Sequence, residues 1–193
     1  MTEKTAQKEP GKKPAPSKKP KPQQEVVVQI SLSELHPFPD HPFQVREDAA
    51  MQETAESVKE YGVLVPALAR PREDGGYELI AGHRRKHACE LAGLATMPVI
   101  VRDIDRDAAT IIMVDSNLQR ENILPSERAK AYKMKMEAIK RQGARTDLTS
   151  PKISAKFRSD DEVGQDAGVS GDTIRNYIAL TQLVPELQQM VDE

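Results

Sequence analysis

The chain has 193 residues, 28 of them basic and 30 acidic, for a formal net charge of −2. That length holds one ordinary domain or two small ones, and no run approaches the roughly eighteen apolar residues of a membrane span. A single cysteine, Cys89, excludes an internal disulfide and makes a reducing, intracellular setting the default, while three Phe, four Tyr and no Trp argue against recognition by base stacking.

The charge is unevenly placed. Residues 1–24 hold seven Lys, two Glu and five Pro, a net of +5, so the remaining 169 residues carry −7. The tail lacks the apolar core of a signal peptide. It cannot bury enough surface to offset ordering entropy, so it is expected to be disordered. It reads either as a solubilising tail or as a mobile basic arm.

Order is expected from Glu25. The β-branched run at 26–30 reads as a strand. Residues 36–46, with three prolines, read as an extended loop. Glu47 to Tyr61 has helical spacing, with Met51, Ala55 and Val58 on one face and Gly62 as its stop. Residues 64–71 and 77–81 read as a hairpin around the turn at 73–76. A short helix at 83–92 closes at Gly93, and 97–102 is another strand. Asp107–Gln119 and Pro125–Arg141 read as helices, with Pro125 in a first turn that tolerates it. The pattern weakens over 143–159, and short helices follow from Asp160. The fold class is therefore a small mixed sheet with helices over residues 25–122, then an all-helical unit over 123–193.

The segment Tyr77-Glu-Leu-Ile-Ala-Gly82-His83-Arg84-Arg85-Lys86-His87 ends a strand, turns at a glycine and opens a helix with cations. Cations at a helix N-terminus oppose the macrodipole. Free N–H groups and guanidinium forks together suit a phosphate. A solvated basic turn is the plainer reading. A second polar cluster, Asp115-Ser116-Asn117-Leu118-Gln119-Arg120, ends an otherwise apolar helix. Its oxygen donors suit Mg²⁺ held jointly with phosphates, and helix capping would explain them equally.

Residues 160–179 fit a helix-turn-helix. Val163, Ala167, Val169, Ile174 and Tyr177 fall at inward positions, Gly164 where the helices cross, Gly168 at the turn and Ser170 at the cap. On that register Ser170, Gly171, Asp172, Thr173 and Asn176 face a DNA groove, with Arg175 near the backbone. Residues 159–193 nevertheless hold eight acids against one base, Arg175. The stretch 133–158 carries +6, including Lys140, Arg141 and Arg145, and could supply the phosphate contacts that dominate affinity.

The order of motifs resembles the ParB family of DNA-partition proteins. The matching pieces are Gln44-Val45-Arg46, Gly62-Val63-Leu64-Val65-Pro66, Gly82-His83-Arg84-Arg85, Asn117-Leu118-Gln119-Arg120 and Leu124-Pro125-Ser126-Glu127. The resemblance implies an N-terminal domain that binds CTP and Mg²⁺ and closes two protomers into a clamp on double-stranded DNA. By position it implies that Gly82, Arg84 and Arg85 hold the triphosphate, with His83 beside them. Asn117 would contact the metal, Arg120 would brace the pocket, and Gln44 and Arg46 would line it. It further implies a nucleoid-associated cytoplasmic protein, self-association through the N-terminal domain, and a ParA-type ATPase touched by residues 1–24, which contain no Arg. The family's separate C-terminal dimerisation domain has no counterpart in these 193 residues.

Two departures stand out. His83 and Ser116 occupy positions where the family usually has acids, so the expectation is nucleotide binding with slow or absent hydrolysis. Asp115 could compensate only from about 100° around the helix. The alternative reading is a site-specific transcriptional regulator with a vestigial pocket. Sulfiredoxin shares the fold family, but its cysteine position is Gly82 here. A nuclease would need clustered carboxylates that this sequence lacks.

Overall fold

The computed structural model describes residues 26–120, 123–146 and 159–193. Five strands form one mixed sheet: β1 (Val27–Ser31), β2 (Leu35–Pro37), β3 (Ala67–Pro71), β4 (Tyr77–Ala81) and β5 (Thr96–Val101), in the order β1-β5-β3-β4-β2. β1 and β5 pair antiparallel, as do β3 and β4, whereas β3–β5 and β2–β4 are parallel. Adjacent residues on a strand point to opposite faces, and β4 uses both. Leu79 packs with Ile30, Met51, Val58 and Met97, beneath helices α1 (Ala49–Tyr61) and α2 (His83–Leu91). Ile80 packs with Phe38, Phe43, Met113 and Val114, beneath α3 (Arg106–Leu118) and α4 (Pro125–Thr146).

Several boundaries differ from expectation. The Pro-rich segment contains β2, a three-residue edge strand. Pro37 is tolerated there because an edge position does not require its missing N–H. The strand expected at 64–71 begins only at Ala67. Leu64 and Val65 are 79% and 64% exposed, so their apolarity does not reflect burial. Helix α1 starts at Ala49, where Asp48 accepts the Met51 N–H at 2.8 Å and caps it. Helix α4 runs past Arg141 to Thr146. The expected basic arm at 1–24 lies outside the described residues. So do Lys152, Lys156 and Arg158 and the side chain of Arg145.

Three further helices follow: α5 (Ser159–Ala167), α6 (Gly171–Leu180) and α7 (Pro185–Asp192). Val163 and Ile174 are fully buried with Tyr132 of α4, and Tyr177 packs against them edge-on to Tyr132. Ser170 caps α6 by accepting the Thr173 N–H. Gly168 turns with a φ of 69°. Val169 departs from its expected inward position and is 38% exposed. Gly164 sits where α5 meets the turn, and a Cβ there would lie 2.7 Å from the Val169 carbonyl oxygen and 3.1 Å from the Gly171 nitrogen. Both contacts are backbone and cannot swing aside. Gly164→Ala should therefore cost about 2 kcal/mol, measured by urea denaturation. An unchanged midpoint would refute the crossing geometry.

Candidate functional site

Three separate elements converge on one cleft of about 780 Å³. The loop before α1 supplies Phe43, Gln44 and Arg46, the first turn of α2 supplies Arg84, and the end of α3 supplies Arg120. Two acids also face it, and each is already engaged. Asp48 accepts from the Met51 N–H and lies 3.3 Å from Arg84 Nη2. The Met51 N–H, assisted by Arg84, holds its carboxyl below the usual carboxylate range. Glu127 accepts the Gln44 N–H at 3.0 Å and the Leu124 N–H at 3.4 Å, pinning the loop to the start of α4. Burial and then repulsion from Arg84 lower the pKa of Arg120. Cationic forks held this close to each other would be relieved by an anion between them.

Four of the residues expected from sequence thus share the cleft: Gln44, Arg46, Arg84 and Arg120. Gly82 precedes it in a left-handed conformation, with φ 109°. Arg85 is turned elsewhere. Its Nη1 donates to the carbonyls of Val65 and Pro66, at 2.5 and 2.6 Å, and holds the segment that enters β3. Neighbouring residues on a helix project about 100° apart, so Arg84 and Arg85 diverge.

Neither His83 nor Asn117 lines that cleft, and His83 lines a separate pocket with Pro37, Val45, Glu47 and Lys86. The His83 ring packs 4.0 Å from that of His41, tilted by 50°. Burial, then the proximity of His41, Arg120 and Lys86, pushes the His83 pKa down to about 3, so the ring is neutral. Asn117 is buried, and its Nδ2 donates to the Met113 carbonyl at 2.7 Å. Its Oδ1 has no hydrogen-bond partner. A buried, unsatisfied amide oxygen at the end of α3 fits an oxygen ligand for a hard cation such as Mg²⁺.

On the helical side, Ser170, Asp172, Arg175 and Asn176 are exposed and Thr173 is half-buried. Gly171, expected to face a groove, is buried, and a Cβ on it would run into the Asp161 carboxylate. Arg175 is bracketed by Asp160 and Asp172. The basic stretch divides by burial and by pairing. Lys135 is enclosed, and Arg141 donates to buried Asp107 at 2.7 Å. Lys133 and Lys140 are exposed. Lys133 joins Lys130, Arg106 and Arg141 around a second cleft of about 630 Å³ that reaches Thr181, just past α6.

A family model described as the ParB N-terminal domain matches residues 16–118. The chain belongs to the ParB family. It is 35% identical over 167 residues to the chromosome-partitioning protein Spo0J of Thermus thermophilus, covering 86% of this chain and 55% of that protein. Among solved structures, it resembles the C-terminally truncated ParB of Caulobacter crescentus complexed to the centromeric parS site. That match has a TM-score of 0.54 and 27% identity, and covers 84% of this chain and 75% of the other. A Pnob8-like ParB N-domain aligns with a TM-score of 0.59 at 17% identity, over 88% of this chain and 74% of the other, a likeness of fold alone. The chain spans about half the length of the curated relatives it matches.

At the end of α3, neither Ser116 nor Asp115 presents a free acid. Ser116 donates to the Met113 carbonyl at 2.9 Å. Asp115 turns toward α4 and pairs with Lys135 at 2.6 Å. The sequence reading missed three residues that the structure brings against the expected ones. Asp48 had a visible signal, an acid directly before a helical run. Glu127 lies in the recognised Leu124–Glu127 motif, but nothing local says that it reaches back to Gln44. His41 is a lone histidine among prolines, and only the fold brings it to His83.

Proposed function

We propose that this chain binds CTP in the Gln44–Arg46–Arg84–Arg120 cleft and a specific DNA duplex through α5 and α6, in the service of DNA partition. The observation that carries the reading is the convergence of three guanidiniums, from a loop, a helix start and a helix end, on one cleft. Arg84 and Arg120 would grip phosphate oxygens as charge-assisted forks. Arg46 and the Gln44 amide close the loop side. Asn117 Oδ1 would hold Mg²⁺, whose role when bound is to neutralise phosphate charge. With Ser116 bonded to its own helix and Asp115 paired to Lys135, no free carboxylate stands at that motif, which supports slow or absent hydrolysis.

DNA would lie against the exposed residues of α6, among which Asn176 suits an adenine edge. The cations of the second cleft and Lys140 would contact phosphates. The parS complex of the Caulobacter relative supports this assignment. Self-association through the N-terminal domain, and contact of residues 1–24 with a ParA-type ATPase, belong to the same proposal. So does a nucleoid-associated location.

Calorimetry with each of the four ribonucleoside triphosphates and Mg²⁺ tests the pocket. CTP should bind, and Arg84→Ala should weaken it by about a hundredfold, the loss of one bidentate charged contact. Equal affinity for all four nucleotides, or none, would overturn the assignment. The missing acids also favour a second reading, a site-specific regulator with a vestigial pocket. CTP-dependent cross-linking between protomers separates the two, because a regulator need not show it.

A further inference from the structure

Arg175 is the only base between residues 159 and 193, set among eight acids. An acidic surface offered to DNA is unusual, because phosphate contacts normally dominate affinity. By position Arg175 reads as a phosphate contact, yet its guanidinium has other partners. Nη1 donates to Asp160 on α5, and Nη2 donates to Asp172 one turn earlier on α6. Both terminal nitrogens, the pair that forks onto a guanine edge or a phosphate, are thereby engaged. The Asp160 side chain is 11% exposed, and desolvation makes it costly to strip the guanidinium from that carboxylate. The bracket is therefore expected to persist on DNA.

Asp172 is the outer end of this arrangement. Its side chain is 80% exposed, at the second residue of α6. The first turn of a recognition helix is the part that meets base edges. Its neighbours there have less to offer. Gly171 has no side chain and is buried. The Ser170 hydroxyl accepts the Thr173 N–H and lies 2.9 Å from Thr173 Oγ1, so these two side chains serve the cap.

An ionised carboxylate only accepts hydrogen bonds. With Oδ1 engaged by Arg175, the other oxygen can take a donor from the groove. The major-groove edges differ in what they offer it. Guanine shows two acceptors, and thymine an acceptor and a methyl group. Adenine shows a donor beside the N7 acceptor, which repels a carboxylate. Cytosine alone shows a donor, its N4 amine, with no acceptor on its own edge. A bare aspartate would still be pushed away by the phosphates. The guanidinium beside Asp172 offsets that charge and holds the carboxylate in one orientation.

We propose that Asp172 reads a C·G pair by accepting from the cytosine N4 amine, and that Arg175 is a positioning residue that anchors the Asp172 carboxylate to α5 rather than a phosphate contact. This rests on the reading of α5 and α6 as the DNA-binding unit.

The test uses the full chain and a randomised duplex library. Sequencing the bound fraction should give a site with a strongly preferred C·G pair, and Asp172→Ala should lose the preference at that pair alone. Replacing that cytosine with 2-pyrimidinone, which lacks the exocyclic amine, should weaken the parent about tenfold and leave Asp172→Ala unaffected. Arg175→Met should relax the same pair while keeping the slope of log affinity against log salt, whereas loss of a phosphate contact would reduce that slope by about one. Arg175→Lys keeps a charge against Asp160 but loses the fork, and should relax the pair even if the methionine variant fails to fold. A 2-pyrimidinone effect that persists in Asp172→Ala assigns the amine to another residue and overturns the proposal. A reduced salt slope in Arg175→Met, or a base preference intact in Arg175→Lys, overturns the positioning role. An enriched site with no pair that depends on Asp172 refutes the inference and leaves the DNA reading standing, whereas no enriched site at all ends both.

Discussion

Replacing Gly82 with alanine is expected to abolish CTP binding and to lower stability by about 3 kcal/mol. Gly82 lies between β4 and α2 with φ 109° and ψ 20°, a conformation that L-residues rarely take. An added Cβ would meet the Ala67 Cβ at 2.9 Å and the Ala67 Cα at 3.3 Å. Ala67 is fully buried on β3, at the middle of the sheet, and is already the smallest side chain available. Neither side of the contact can yield, so α2 must shift away from the sheet. Arg84 sits on the first turn of that helix and would leave the cleft with it. Gly93→Ala is the control. It also has positive φ, 72°, but nothing lies within 4 Å of an added Cβ. It should cost about 1 kcal/mol of backbone strain and leave CTP binding unchanged. Denaturant titration and calorimetry on both variants decide the matter. Equal losses would mean that backbone conformation, not packing against Ala67, fixes the junction.

The contrast between these glycines marks how far the sequence could be read. That a glycine ends a strand and opens a basic helix is visible in the residues themselves. That Gly82 must stay bare because of Ala67 requires the pairing of β3 with β4, which no local pattern states. The same division runs through the fold. The hairpin turn before β4 and helical spacing in α1 and α3 are local properties and were legible. β2 was not, because three residues with a proline form a strand only when β4 offers a parallel partner. Leu64 and Val65 look like strand core by composition yet stand exposed.

The site divides along the same line. Gln44, Arg46, Arg84 and Arg120 meet because motif order reflects a shared architecture. The adjacent Arg84 and Arg85 looked like a pair, but helix geometry sends the second to the Val65 and Pro66 carbonyls. Counting charge was the weakest guide, since it ignores burial and pairing. A stretch of +6 reads as a phosphate grip. Within it Lys135 is enclosed and Arg141 is bound to Asp107, while the lone base of the acidic helical end, Arg175, is held by two aspartates.

Lys135 carries the other large expected effect. Its side chain is 1% exposed, and its ammonium lies 2.6 Å from Asp115 on α3 and 2.9 Å from Asp166 on α5. Burial alone would pull its pKa down, but the two carboxylates more than offset this and hold it above the usual lysine value. Lys135→Ala removes a buried four-carbon stem together with both ion pairs. The stripped carboxylates are about half exposed and regain water, so the penalty stays below that of an orphaned buried charge. A loss of about 3 kcal/mol is expected, mostly from the cavity left by the stem. Lys135→Met refills that volume and removes only the charge, and should cost about 1 kcal/mol. If methionine costs as much as alanine, the ion pairs dominate and the packing argument fails. The variant has a second consequence, because Asp115 belongs to the same helix end as Asn117 and Arg120. Lys135 thus ties that end of the proposed nucleotide cleft directly to α5. Lys135→Met should therefore leave CTP affinity and DNA affinity each within about threefold of the parent, while reducing any effect of CTP on DNA binding. Fluorescence anisotropy of a labelled duplex, titrated with and without CTP, measures that coupling directly. Coupling as large in the methionine variant as in the parent would show that the two sites communicate by another route.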